Sequence, residues 1–161
     1  MKKSEIQSFI KTVKHFYKKN GRHDMIWRHT TNPYHIMISE IMLQQTQVNR
    51  VTEKYIEFTE NFPTITSLAN AQLGEVLKVW QGLGYNRRAK YLKKAAEYIQ
   101  NELEGQFPTT IEELIKLPGI GHATAGAIMT YAYNKPIPFI ETNIRTIYIY
   151  HFFKDKENVT D

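Results

Sequence analysis

The chain has 161 residues, a length that suits one globular domain or two small ones. Hydrophobic residues make up 42% of it, enough for a packed core, yet no apolar run reaches the roughly 18 residues that a membrane-spanning helix needs. Cysteine is absent, which excludes disulfides and cysteine-ligated clusters within these residues, and a net charge of +5 with a pI of about 9.3 favours a polyanionic partner.

Apolar residues recur at helical spacing through most of the sequence. The first segment, 4–19, has Ile6, Phe9, Val13 and Phe16 on one face, and its flanking lysines precede no apolar run of the kind that marks a signal peptide. Further helices are expected at 34–58 (one long helix or two shorter ones), 64–70, 72–81, 87–102, 110–116 and 122–133.

The last segment conflicts with this pattern. Residues 144–153, IRTIYIYHFF, are β-branched and aromatic, and propensity alone favours a strand. No partner strand is evident, and a single strand is not stable by itself. We therefore expect a helix here and an all-α fold overall.

A basic stretch lies between residues 76 and 96. It contains six cations and no acid: Lys78, Arg87, Arg88, Lys90, Lys93 and Lys94. A solvated helix face would explain them equally well. Tyr85 and the adjacent glycines make contact with nucleic-acid phosphates the more attractive interpretation.

The sequence LPGIGHATAGAI, 117–128, places two glycines at the start of a helix. Gly119 and Gly121 permit a tight turn and close approach of the backbone to another molecule. Free N–H groups at the start of the following helix would bind a phosphate. An ordinary turn between two helices is the alternative, and the basic helix upstream favours phosphate binding.

Glu40 is the only Asp, Glu, Lys or Arg between Arg28 and Arg50. Helical spacing places it beside Met37 and Leu43, so its carboxyl should be partly desolvated. Desolvation raises a carboxyl pKa and suits a general acid. A buried glutamate bonded to the backbone or to a basic residue is the structural alternative.

A second isolated acid, Glu141, precedes the last predicted helix. An acid in the first turn of a helix is favourable because of the helix dipole, so a capping role is the alternative to catalysis. Amide side chains accompany both acids: Gln44 and Gln45 follow the first, and Asn143 follows the second.

Three stretches, in this order and spacing, resemble the helix-hairpin-helix superfamily of DNA glycosylases. They are SEIMLQQTQV (39–48), LANAQLGEVLKVWQGLGYNRRAKYLKKAA (68–96) and FPTTIEELIKLPGIGHATAGAI (107–128). Within that superfamily the resemblance is greatest to the adenine branch, which acts on adenine mispaired with guanine or 8-oxoguanine. It extends from about residue 26 to residue 145.

The resemblance implies an all-α fold with the active site in a groove between two domains. A six-helix domain at 25–137 would hold the hairpin. Residues 1–24 and 138–161 would form a second helical domain that lacks its C-terminal helices. Family members continue with further helices, often a four-cysteine iron–sulfur loop, and in the adenine branch a domain that reads 8-oxoguanine. We therefore expect either a fragment or a shortened relative, with weak activity and exposed aromatics around Tyr148, Phe152 and Phe153.

The resemblance also implies roles for single residues. Glu40 corresponds to the acid that protonates adenine, and Glu141 to an aspartate that stabilises the oxocarbenium-like sugar, with Asn143 beside it. Arg28 and Tyr85 correspond to residues that contact the flipped base and the lesion pair. The expected DNA contacts are Gln44 and Gln45 in the gap left by the base, and Gly119, Gly121, His122, Thr124, Arg87 and Arg88 at the phosphates.

Two departures from the family pattern bear on the chemistry. Residue 141 is Glu instead of Asp, followed by Thr142 where the adenine branch has Gly. One methylene moves the carboxylate by roughly 1 Å, enough to cost about 10²-fold in rate. Ala123 stands where the branch resembling endonuclease III has a lysine nucleophile, which favours a glycosylase without lyase activity.

The expected partner is double-stranded DNA with a mispair, bound by a monomer in the cytoplasm at the nucleoid, without a membrane. No metal site is expected, and the one cofactor compatible with the resemblance is a monovalent cation at the hairpin backbone. Two alternatives stay open: a DNA-binding relative without catalysis, and a glycosylase for another mispaired base.

Overall fold

The computed structural model describes residues 2–154, 156, 158 and 159, which fall into two compact units. The larger unit is Ile26–Phe139, and the smaller combines Met1–Met25 with Ile140–Asp161. All regular secondary structure in the described residues is helical, which confirms the all-α prediction. None of these helices is both long and apolar enough to cross a membrane.

The helices are numbered in chain order. They are α1 (Lys3–Asn20), a 3-10 helix (Ile26–Arg28), α2 (Pro33–Leu43), α3 (Val48–Asn61), α4 (Ile65–Asn70), α5 (Leu73–Trp80), α6 (Arg87–Glu102), α7 (Ile111–Leu114), α8 (His122–Tyr133) and α9 (Thr142–Phe152). Residues 26–139, all of them described, therefore contain seven α-helices, of which α7 is a single turn.

The segment 34–58, expected as one helix or two, forms two. Asn32 caps the start of α2 because its side-chain oxygen accepts hydrogen bonds from the amides of Tyr34 and His35. The helix ends at Leu43, and Gln45 has a left-handed backbone with φ 55° that a continuing α-helix does not allow. A short turn thus separates α2 from α3.

Helix α2 runs through the core of the larger unit and packs on α3, α6 and α8. Seven of its eleven residues are buried: Tyr34, Ile36, Met37, Ile38, Ser39, Ile41 and Met42. Beyond α2, Phe58 and Trp80 meet edge to face with ring centres 5.9 Å apart, and both are fully buried. Each such side chain contributes roughly 1.5–3 kcal/mol by burial.

The smaller unit is held by aromatic contacts between α1 and α9. The Phe9 ring lies 5.0 Å from the rings of His151 and Phe152 and 5.9 Å from that of Tyr148. No residue of either helix is buried. Of the three aromatics expected to be exposed, Tyr148 is 40% exposed, whereas Phe152 and Phe153 are half-buried.

The helix expected at 144–153, against its strand propensity, is present as α9. Phe9 meets Tyr148, His151 and Phe152, which lie three and four positions apart and so share one helical face. Packing against α1 thus coincides with the helical periodicity of this segment and overrides its intrinsic preference.

Candidate functional site

Glu40 lies on α2, one turn before the end of the helix. It is half-buried, and its neighbours Ser39 and Ile41 are buried. Glu40 therefore lies at the edge of the apolar core. Arg28, at the end of the 3-10 helix that contacts α2, is exposed.

The two glutamines form the turn that follows α2. Gln44 is the residue that ends the helix, and both Gln44 and Gln45 are exposed. The side-chain amide of Gln44 lies 3.5 Å from the hydroxyl of Thr124, at the start of α8. The glutamine turn (residues 44–46) is therefore adjacent to the hairpin.

The glycine loop (residues 82–85) carries three left-handed residues. Gly82 and Gly84 have φ 96° and 70°, which glycine adopts without strain, but Tyr85 has φ 48°. The Tyr85 side chain is 63% exposed. The indole N–H of Trp80 donates to the carbonyl of Gly84 at 3.1 Å and fixes the loop to the core.

Arg88 joins the glutamine turn to the glycine loop. Its Nη1 donates to three backbone carbonyls at the end of α2 and just beyond it, and its Nη2 donates to a hydroxyl and to two carbonyls of the glycine loop. The acceptors are Ile41 O (2.9 Å), Met42 O (2.9 Å), Gln44 O, Thr46 Oγ1 (2.9 Å), Leu83 O (3.1 Å) and Gly84 O (3.2 Å).

These bonds give Arg88 a role that differs from the expected phosphate contact. Its two terminal nitrogens are engaged within the protein, and its Nε is buried without a partner in the described structure. A cation at the C-terminal end of α2 is favourable because the last carbonyls there have no helical partner. Burial lowers the pKa of Arg88, and the neighbouring Tyr85 acts in the opposite direction.

Lys93 also points inward. It is 8% exposed, and its ammonium donates to the carbonyl of Ala69 at 3.1 Å and to the Glu97 carboxylate at 2.7 Å. The other cations of the basic stretch are exposed: Lys78, Arg87, Lys90 and Lys94. The last three share one face of α6, so the charge available to a phosphate backbone is concentrated there.

The hairpin lies against that face of α6. Gly119 has φ 81°, and an added Cβ would come within 2.7 Å of the Tyr91 Cβ, so the turn rests on this tyrosine. Arg87 donates to the Tyr91 hydroxyl from both Nε and Nη2, at 3.0 and 2.7 Å. Arg87 therefore lies close to the hairpin.

Gly121 is the residue before α8, and the amides of the first helical turn follow it. Gly121 and His122 are exposed, and Thr124 is half-buried. Amides at this position have no acceptor within the helix and are oriented for an anion. The glutamine turn, the glycine loop, the hairpin and the exposed face of α6 adjoin one another through these contacts, and we call them together the binding face.

Glu141 and Asn143 belong to the smaller unit. Glu141 is the N-cap residue of α9, but its side chain forms no capping hydrogen bond, and both residues are exposed. The capping alternative therefore has no hydrogen bond to support it. No group of three His, Asp or Glu side chains in the described part of the chain is arranged to hold a metal ion.

Two features of the binding face were not predicted from the sequence: the support of the hairpin by Tyr91 and the bridge made by Arg88. Tyr91 reads as an ordinary residue of an amphipathic helix, and nothing in its spacing indicates Gly119 as a neighbour. The sequence shows Arg88 as a cation, but four of its six acceptors lie more than forty residues away in the chain.

Comparison with known proteins gives consistent matches. The family model described as "HhH-GPD superfamily base excision DNA repair protein" matches residues 38–160. The adenine DNA glycosylase of Buchnera aphidicola subsp. Baizongia pistaciae is 40% identical over 144 residues, covering 89% of this chain and 41% of that protein. The human adenine DNA glycosylase is 35% identical over 153 residues, covering 89% of this chain and 28% of that protein.

Solved structures support the same fold. A thermostable thymine-DNA glycosylase superposes with a TM-score of 0.84 at 29% identity, covering 90% of this chain and 67% of that chain. An endonuclease III–DNA complex superposes with a TM-score of 0.81 at 20% identity, covering 92% and 68%. The chain spans about two-fifths of the length of the Buchnera relatives that it matches.

Proposed function

This chain belongs to the HhH-GPD superfamily of base excision DNA repair proteins, and we propose on that premise that it is the catalytic region of an adenine DNA glycosylase. Its substrate would be adenine mispaired with guanine or 8-oxoguanine in double-stranded DNA. The observation that carries the proposal is the position of Glu40, half-buried at the core's edge one turn before the exposed glutamines of the binding face.

The proposed reaction begins with extrusion of the adenine nucleotide from the duplex. Base flipping costs a few kcal/mol, which the glutamine side chains offset by occupying the vacated stack. Gln44 and Gln45 are exposed at the end of α2 and suit this role. Arg28 and Tyr85, both exposed, would contact the flipped base and the lesion pair.

The chemical step is hydrolysis of the glycosidic bond. Glu40 donates its proton to a ring nitrogen of adenine, so the base departs with the bonding electron pair as a neutral leaving group. The carboxylate of Glu141, with Asn143 beside it, stabilises the positive charge that develops on the sugar. Water then adds to the sugar carbon and releases a proton, leaving free adenine and an abasic site.

We extend the proposal to a monofunctional reaction without strand cleavage. Ala123 occupies the first turn of α8, where a lysine would be needed to form a Schiff base with the opened sugar. Incubation with borohydride should therefore trap no covalent protein–DNA complex. A trapped complex would identify another amine as nucleophile and refute this part.

We also propose a cellular setting and a mode of phosphate binding. The protein would act as a monomer on nucleoid DNA in the cytoplasm. Phosphates would be bound by the amides after Gly121 and by Arg87, which is exposed beside the hairpin. A monovalent cation would find hard oxygen ligands at the backbone carbonyls of the hairpin turn, where exposed Gly119 and Gly121 leave the backbone accessible.

Single-turnover assays on matched duplexes test the proposal. The same oligonucleotide sequence is prepared with adenine opposite guanine, opposite 8-oxoguanine and opposite thymine, and with thymine opposite guanine. We expect adenine release from both mispairs and none from the adenine–thymine pair. Release of thymine alone would favour the activity named for the 29%-identical structure, and binding without any release would favour a non-catalytic module.

A further inference from the structure

Two turns on the binding face have left-handed backbones at residues other than glycine. Gln45 has φ 55° in the glutamine turn, and Tyr85 has φ 48° in the glycine loop. Both side chains are exposed. A non-glycine residue keeps such a conformation only where the surrounding structure holds it. Some contact must therefore constrain both turns.

The guanidinium of Arg88 is placed to supply this constraint. Through Nη1 it binds the carbonyl of Gln44, the residue before Gln45, and through Nη2 it binds the carbonyl of Gly84, the residue before Tyr85. It also donates to the hydroxyl of Thr46, the residue after Gln45. One planar cation therefore contacts the backbone carbonyl before Gln45, the side-chain hydroxyl after it, and the backbone carbonyl before Tyr85.

Stacking adds to these hydrogen bonds. The Arg88 guanidinium carbon lies 5.5 Å from the ring centres of both Trp80 and Tyr85. Trp80 is fully buried, and its indole N–H also holds the Gly84 carbonyl. The cation is therefore fixed against a rigid part of the core while it holds two exposed turns.

We propose that Arg88 is a positioning residue that locks the glutamine turn and the glycine loop into one rigid element, so that Gln45 and Tyr85 meet the DNA as a preformed pair. This deepens the proposed function, on which it rests, because it assigns how the base-displacing surface is kept in shape. Preorganisation matters here since every side chain ordered during binding subtracts from the affinity.

The shape of the side chain distinguishes this role from a phosphate contact. A guanidinium presents five N–H groups in a flat fork, whereas an ammonium presents three from a single point. Lysine could satisfy a phosphate almost as well as arginine, but it could not span six acceptors in two segments. The variant Arg88→Lys therefore keeps the charge and removes the bridge.

The first measurement is amide hydrogen exchange without DNA, which does not depend on any activity. The Thr46 amide donates to Leu43 O at 3.3 Å, and the Leu83 amide donates to Trp80 O at 3.2 Å, so each reports on one turn. In Arg88→Lys we expect both amides to exchange at least about tenfold faster, with the amides of α6 near Ile99 unchanged. The matched control is Arg87→Lys, in which both reporters should keep wild-type exchange.

The second measurement is base displacement in duplex DNA, followed by the fluorescence of 2-aminopurine placed opposite guanine. We expect Arg88→Lys to bind duplex with the salt dependence of the wild type but to lose most of the fluorescence increase. Thr46→Val keeps the charge but removes the hydroxyl that accepts from Arg88 and donates to Gln44 O and Leu83 O, so it should change exchange and fluorescence in the same direction.

Two results would overturn the proposal. Wild-type exchange of both reporter amides in Arg88→Lys would show that the bridge does not hold the turns. A point-charge contact with phosphate would give a different pair of results. Arg88→Lys would displace the base fully, whereas Arg88→Met would lose base displacement and bind duplex with a reduced salt dependence. If the wild-type protein displaces and excises no base, the proposed function fails, and the exchange experiment still decides the role of Arg88.

Discussion

The side chain of Tyr91 packs directly against Gly119. A methyl group on this glycine would lie 2.7 Å from the tyrosine Cβ, which is closer than van der Waals contact allows. The tyrosine is held in turn by Arg87 through its hydroxyl. The hairpin thus packs on α6, the helix that also carries the exposed cations beside it. Helix α6 therefore supplies both the support of the hairpin and the exposed cations beside it.

This relationship predicts opposite behaviour for the two hairpin glycines. Gly119→Ala places a Cβ against Tyr91 and forces a left-handed backbone on alanine, so we expect a loss of about 1–3 kcal/mol of stability. Gly121→Ala meets no atom within 4 Å and has φ −97°, so it should cost less than about 1 kcal/mol while weakening DNA binding. Urea unfolding and duplex titration of both variants measure this. Equal unfolding midpoints for the two would contradict it.

A second prediction concerns Glu40. Glu40→Gln keeps the shape of the side chain and removes the transferable proton, so the rate of adenine release should fall by about 10²–10⁴-fold. Duplex affinity should stay within about threefold, because the amide leaves the binding face intact. Single-turnover excision and fluorescence anisotropy are the measurements. Unchanged excision would remove the general-acid role, and loss of folding would favour a structural one.

Much of this architecture could be predicted from the sequence because its signals are local. The helix boundaries at Asn32, at the glycine loop and at the hairpin follow from capping and from the backbone freedom of glycine. The apolar face of α2 follows from the periodicity of its residues. The partners of Arg88 and Lys93 could not be predicted in this way. Both were grouped with the DNA-facing cations, yet each donates to a backbone carbonyl more than twenty residues away in the chain.

Helix α9 is a second case in which contacts between distant segments, which the sequence does not show, decide the structure. Propensity favours a strand at 144–153, and a helix is expected there because no partner strand is evident in the sequence. In the structure α9 meets Phe9 of α1 through three aromatic residues on one helical face. Contacts between segments distant in sequence decide such a case, and periodicity indicates them only in part.

The division of the basic residues into exposed and buried predicts which of them set the salt dependence. Each phosphate contact contributes about 0.9 to the slope of log K against log salt, so Arg87→Met and Lys90→Met should each lower that slope by about 1. Lys93→Met should leave the slope unchanged, because Lys93 is bound to Ala69 and Glu97. Duplex affinity measured from 50 to 200 mM salt tests the three side by side. A smaller slope in Lys93→Met would show that its ammonium leaves this site on binding.

Glu141 provides a test that separates chemistry from stability. Its side chain is exposed and forms no capping hydrogen bond, so Glu141→Gln should change the unfolding free energy by less than about 0.5 kcal/mol while abolishing adenine release. Glu141→Asp shortens the side chain by one methylene, roughly 1 Å, and should raise the rate, by up to about 10²-fold. Single-turnover rates and urea unfolding of both variants are required. A slower aspartate variant would show that the chain has adapted to the longer acid.

The smaller unit should open far more readily than the larger one. Neither α1 nor α9 contains a buried residue, whereas α2 alone has seven, and local stability follows burial. Aromatic pairs contribute about 0.5–1.5 kcal/mol each, so the three contacts of Phe9 together are worth on the order of 1.5–4.5 kcal/mol. Phe9→Ala should therefore speed amide exchange throughout α1 and α9 by at least about tenfold, since ~1.4 kcal/mol corresponds to that factor, and leave α2 and α6 protected.

Phe16→Ala on the same helix is the control, because Phe16 is 65% exposed and its loss should change little. If α1 and α9 in the wild type exchange as slowly as α2, burial within this unit is not what limits its opening, and the aromatic contacts are stronger than their geometry indicates.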